Sequence, residues 1–207
     1  RSSEMNRILP LVGVVVMVGC GPTGEPFESY YDNGQLESQG ALKNGEFNGP
    51  YELYQENGQL LLQLRYRDGE LDGASETYHE NGELRTRGRY RDGELDGAWE
   101  TYHENGELKT RETYRDGKPD GQREMYHDNG QLMVKGTWKD GELDGVREMY
   151  HDNGQLWEKT AYKDGERDGP WEVYRDNGQL RDKGMYKDNE KCGEWLEYGE
   201  IVTYDSC

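Results

Sequence analysis

Tyr78 to Thr101 read YHENGELRTRGRYRDGELDGAWET, and at Tyr102 the pattern starts again as YHENGEL. Asn81-Gly82 is a turn signal, because Asn tolerates positive φ and Gly adopts it freely. Gly88, Gly93 and Gly97 follow, and each interior Gly costs a helix up to ~1 kcal/mol. Between the glycines apolar residues alternate with polar ones, as a strand requires. The alternation is clearest in the flanking units, where Leu60, Leu62, Leu64 and Tyr66, or Leu132, Val134, Gly136 and Trp138, share one face. The stretch therefore predicts two short strands. Asn-Gly closes them as a type I′ hairpin, and a six-residue link such as Asp68-Gly69-Glu70-Leu71-Asp72-Gly73 leads onward.

Outward from this stretch the unit recurs. Gly34, Gly58, Gly82, Gly106, Gly130, Gly154 and Gly178 follow Asn at steps of 24 residues. Two further series run in the same register, from Gly45 to Gly165 and from Gly49 to Gly193, so twenty of the 29 glycines fall in three columns. One tyrosine column runs from Tyr30 to Tyr198, and a second holds Tyr66, Tyr90, Tyr114, Trp138, Tyr162 and Tyr186. Gly40, Gly88, Gly136 and Gly184 alternate with Leu64, Glu112 and Thr160 at one strand position. The missing side chain leaves room for a neighbour's ring in every second unit. The array covers residues 30–189, about seven hairpins and on the order of 65 Å at ~4.8 Å per strand. Residues 190–207 form a divergent cap, without the Asn-Gly turn.

Seven in-register units of this kind resemble the variant class of MORN (membrane occupation and recognition nexus) repeats found in bacteria. The resemblance implies an all-β fold, an elongated single-layered antiparallel sheet of tandem 24-residue hairpins. The N-G-[QE]-L and D-G-x-x-D-G turns depart from the better-known class of MORN repeat, so its lipid-binding role is not carried over. An antitoxin-like role, neutralising a basic toxin, is a further implication of the resemblance.

With 43 acidic against 25 basic residues, a net charge of -18 and 31% hydrophobic residues, composition alone describes a disordered acidic chain. The repeat register excludes that reading. The sign of the charge excludes a nucleic-acid binder, which needs clustered cations on phosphates. No catalytic set stands apart from the repeat. Glu52, Glu76, Glu100, Glu124, Glu148 and Glu172 form one column, and His79, His103, His127 and His151 another. Neighbours in a column lie ~9.5 Å apart, two strands away, whereas two ligands of one Zn²⁺ must each reach within ~2 Å. No enzyme, metal or cofactor is expected. Asp68 to Gly73 imitates the start of an EF-hand loop, but twelve residues from Asp68 falls on His79 in place of Glu, so turn chemistry is favoured over a weak Ca²⁺ edge. Tyr78, Trp99, Tyr102, Tyr126, Trp138, Tyr150 and Trp171 either pack the sheet or form a binding surface for protein or glycan.

Met5 to Cys20, MNRILPLVGVVVMVGC, has a basic start, an apolar run too short to span a bilayer and a Gly-Cys ending. It resembles a lipoprotein signal over residues 1–20, with the true start at Met5 and Cys20 diacylated; a buried first strand is the alternative. Residues 21–29 are expected to be a tether. Cys192 and Cys207 remain as an even pair, a disulfide of the cap or two free thiols. The expectation is a non-enzymatic lipoprotein, membrane-anchored through Cys20 at the cell envelope, showing an acidic surface to a basic protein partner. A cell-wall glycan module and an antitoxin are the alternatives.

Overall fold

The computed structural model describes residues 24–207, and every regular element in them is a strand. Nineteen strands form one antiparallel sheet in chain order, and Leu60–Arg67, Leu84–Arg91 and Leu132–Lys139 each pair with the two strands that follow them. Glu70–Leu71, Glu94–Leu95 and Glu142–Leu143 are the outer ends of longer strands, broken by one residue at Asp72, Asp96 and Asp144. Joined to their continuations, they leave sixteen rungs. Only Val173, Tyr186, Cys192 and Trp195 are buried apolar residues among those described, as expected where no second layer covers the sheet.

The two turn assignments are exchanged relative to the sequence reading. Asp68 and Gly69 both have positive φ, 47° and 84°, and lie between the paired residues Arg67 and Glu70. Asp-Gly is thus the two-residue type I′ turn. At Asn33-Gly34 the loop has three residues. The Tyr31 N–H donates to the Gln35 carbonyl at 2.9 Å, and the Gly34 N–H to the Tyr31 carbonyl at 2.8 Å. Only Gly34 is left-handed, with φ 82°, while Asn33 Oδ1 accepts the Gln35 N–H at 2.9 Å. This is a type I turn closed by a G1 bulge, in which Asn supplies an acceptor and not an unusual φ.

The expected six-residue link is likewise a tight turn followed by a bulge inside the next rung. Tyr66 pairs with Leu71 and Gln63 with Glu76, so two extra residues, Asp72 and Gly73, are absorbed on one strand. The Asp72 N–H reaches the Arg65 carbonyl at 2.8 Å, and Gly73 takes φ 129°. Successive turns also bond to each other. Gly69, Gly93 and Gly117 donate their N–H groups to Phe47, Leu71 and Leu95 of the preceding turn at 2.9, 2.9 and 3.0 Å.

Both ends differ from a bare array. Residues 25–29, expected in the tether, belong to the strand Glu25–Tyr30, which pairs with Leu36–Lys43. Phe27 lies over Gly40 and stacks among Phe47 and Tyr51, with centroids 5.8 and 6.2 Å away; a tether could not hold that ring. At the other end Glu190–Glu197 and Glu200–Thr203 form a hairpin, and a Cys192–Cys207 disulfide with Cα atoms 5.0 Å apart ties the terminus to it. The expected leader and Cys20 lie outside the described residues.

Candidate functional site

A strand exposes alternate residues on opposite faces, and the units use their two faces differently. On one face the Glu column meets a complementary column. Glu52 faces Gln39 and Gln63, Glu100 faces Arg87 and Arg111, and Glu148 faces Lys135 and Lys159. The contacts are close. Arg87 and Arg111 lie 2.7 and 2.9 Å from Glu100, Lys135 lies 2.8 Å from Glu148, and Gln63 donates to Glu52 at 3.1 Å. The column tyrosine donates its hydroxyl to the Glu two residues earlier. Tyr102 reaches Glu100 at 2.6 Å, Tyr126 reaches Glu124 at 2.7 Å and Tyr174 reaches Glu172 at 2.7 Å. The strand carboxylates are therefore members of a compensated ladder and not a free acidic stripe.

Titration follows this geometry. The Tyr102 hydroxyl, with Arg87 and Arg111, holds Glu100 down to about 2. Burial and then the Glu76 bond push Tyr78 up to about 12, and the Glu172 bond followed by burial pushes Tyr174 up to about 12. Tyr54, Tyr102, Tyr126 and Tyr150 move the same way. A phenol whose pKa is higher folded than unfolded stabilises fully below pH ~10 and loses that contribution as pH climbs through its folded value. Each contributes no more than about 0.5–1 kcal/mol, because water screens half-exposed pairs, but the column repeats the term six times over one window. Thermal stability is expected to fall steeply between pH 10 and 12, in step with phenolate absorbance. Phenols ionising near 10 with no loss of stability would contradict the ladder. Glu100 works in the opposite sense, its contribution being lost as pH falls from the ordinary carboxylate range towards 2.

The other face is aromatic. Phe47, Tyr51 and Tyr66 pack together near the first units, and Tyr90 meets Trp99 edge-on at 5.8 Å. Trp171, Tyr186 and Trp195 close the far end, at 5.0–6.3 Å between centroids. The alternating glycines seat these rings. A Cβ on Gly88 would lie 2.0 Å from the Trp99 ring, and one on Gly184 2.0 Å from Trp195.

The seven aromatic residues proposed from sequence as one binding surface are consequently divided. Trp99, Trp138 and Trp171 lie on the aromatic face, where Trp138 carries Arg123 at 5.5 Å from its centroid. Tyr78, Tyr102, Tyr126 and Tyr150 lie on the ladder face with their hydroxyls bound to Glu. The histidines bridge adjacent Asn-Gly turns. His79 and His151 ring nitrogens lie 3.0 and 3.2 Å from the Tyr102 and Tyr174 carbonyls, and Asn81 and Asn153 donate to the Glu104 and Asp176 carbonyls at 2.7 and 2.8 Å.

Most of the carboxylates left exposed sit at the turns. Asp128 and Asp152 are 86% and 92% exposed. Beside them sequence reasoning missed a hollow of about 680 Å³ lined by Met133, Val134, Met149, His151 and Trp157, and an adjoining one of about 750 Å³ that includes His103, Lys109 and Met125. The signal was available: Met125, Met133 and Trp157 stand in columns that hold Thr101, Lys109 and Arg85 in other units.

Sixteen rungs of one layer, held by columns that repeat from unit to unit, define a tandem-hairpin repeat protein. The chain belongs to the MORN repeat variant family, whose profile matches seven times, at residues 26–44, 47–68, 71–92, 95–116, 119–140, 143–164 and 167–188. No curated protein matches the chain. Among solved structures, one titled "Crystal Structure of TcdB2-TccC3" aligns at 13% identity over 87% of this chain, with a TM-score of 0.18. The alignment covers 13% of that chain, and at this score it carries no argument about fold or function.

Proposed function

We propose that the chain is a non-enzymatic interaction protein, held at the cell envelope by a lipid on Cys20, whose acidic turn edges receive a basic protein partner. The observation that supports this is the sorting of charge. Strand Glu residues are matched by Gln, Arg and Lys across the ladder, whereas turn carboxylates such as Asp128 and Asp152 remain mostly exposed and face histidine. The net charge of -18 is thus concentrated where a partner could meet it. Anchoring rests on the reading of Met5 to Cys20, and intact mass of the mature chain tests it: a diacylglyceryl adduct on Cys20 is expected, and an unmodified thiol would overturn that part. For the interaction, capture from envelope extracts by the array should recover a Lys/Arg-rich partner that is released as salt shortens the Debye length from ~10 Å at 0.1 M towards ~3 Å at 1 M. Recovery of nothing at low salt, or salt-insensitive capture, would count against it. The division of the seven aromatic residues between two faces removes the motive for a continuous glycan stripe.

A further inference from the structure

We infer that the two adjoining hollows form one furrow that binds an extended peptide segment of a protein partner, with large apolar side chains on its floor and Lys or Arg on its rim. This rests on the interaction reading above and assigns it a place. The hollows share His127, Met133 and Asp152, so they are continuous across units. Their floor is Met125, Met133, Val134, Met149 and Trp157, holding three of the six methionines of the chain. Met is flexible and polarisable, suited to a surface that must adapt to a ligand. Trp157 is 39% exposed, with only a tilted contact to His151 at 6.2 Å.

The fold does not require these side chains. In earlier units the corresponding row holds Thr77, Thr86, Thr101 and Thr110, which hydrogen-bond in pairs at 2.6 and 2.7 Å on the same backbone register. The bulge position of Trp157 is Arg85 in one unit and Arg181 in another. The same columns hold Leu53, Leu61 and Leu62 in the second unit and Thr, Arg and Lys in the two units between, so the array folds with either kind of side chain and the Met and Trp157 floor is not dictated by the register.

Charge selects the occupant. The rim carries Asp128, Asp152 and Asp176 at successive turns, two of them facing only histidine. Successive turns are two rungs apart, ~9.5 Å, and a peptide extended as a polyproline II helix advances ~3.1 Å per residue with three residues per turn, which puts every third side chain on one edge at ~9.3 Å intervals. Cations at every third residue of the partner therefore match the rim, with apolar residues between them to reach the floor.

The test titrates the intact chain against a dye-labelled nonapeptide with Lys at the first, fourth and seventh positions and Leu between, alongside a variant carrying Met133→Thr, Met149→Thr and Trp157→Thr. These changes alter no charge, so general attraction to an acidic protein is unaffected. Saturable binding, weakened at least tenfold in the triple variant and weakened in the uncharged single variant Trp157→Gln, is expected. No binding, or equal binding by the variants, overturns the furrow. A response of Trp157 fluorescence to a soluble muropeptide but not to the peptide overturns it as well, in favour of a glycan. If a partner captured from extracts is captured equally by the triple variant, the furrow falls and the interaction reading stands. If the unaltered chain captures nothing at low salt, the interaction reading itself fails.

Discussion

Trp195→Ala is expected to destabilise the C-terminal rungs by about 3–5 kcal/mol, the range for removing a buried Trp and leaving its cavity. Trp195 is 0% exposed in a sheet that otherwise buries little. Its ring packs on Trp171, Tyr186 and Tyr204 at 5.1, 5.0 and 5.9 Å, donates its N–H to the Cys192 carbonyl at 3.0 Å, and carries Lys191 at 4.6 Å. Five groups lose a partner at once. Because a repeat array is stabilised by nearest neighbours, the loss should be local. Hydrogen exchange should accelerate from Leu180 to Thr203 while Leu60 to Tyr102 stay protected; uniform acceleration would show a cooperative core that a single layer cannot supply. Reducing the Cys192–Cys207 bridge, which closes a 15-residue separation, should cost about 3 kcal/mol in the same region. The two losses should not add, since they weaken one cluster.

Gly88→Val should have the largest effect within the array. Its Cβ would lie 2.0 Å from Trp99 Cε3 and 2.7 Å from Cζ3, so either the ring leaves the aromatic face or the rungs part. A cost of about 3 kcal/mol or more is expected, at or beyond the top of the usual overpacking range, together with a red-shifted Trp emission. Gly136→Val should cost less, because its Cβ would meet the Trp138 ring edge at 2.9 Å and Leu143 at 3.1 Å. If Gly88→Val unfolds at the same denaturant concentration as the unaltered chain, the alternating glycines are not ring seats, and their spacing has no account in this packing.

The period, the strands and the columns were legible because each depends on side-chain spacing alone. Turn types were not. Asn-Gly is the preferred pair for a type I′ turn, but what decides the type is the number of residues between the last bonded pair, three at Tyr31–Gln35 and two at Arg67–Glu70. The same limit affected the faces. Register shifts between Leu53 and Tyr54 and their equivalents interrupt the period of two, so an alternation counted from Leu60 does not run unbroken to Tyr66. Phe27 was assigned to a tether because Glu25–Tyr30 follows no turn signal; its strand is fixed from outside, by the space above Gly40.

The candidate surface was misread for a related reason. Tyr102 and Trp99 are both aromatic, yet three residues apart on one strand they point to opposite faces, and one of them is committed to Glu100. The compensating Gln, Arg and Lys column, from Gln39 through Arg87 to Lys159, stands in the sequence at the same period as the Glu column. Recognising it needed the register that pairs Arg87 with Glu100.

Small-angle scattering of residues 24–207 tests the central claim most directly, that one uncovered layer of neighbour-bonded rungs makes up these residues. Fifteen gaps at ~4.8 Å and strands of about eight residues give a ribbon roughly 72 by 27 Å, with a radius of gyration of about 22 Å. A value near 16 Å, that of a compact domain of this length, would contradict it.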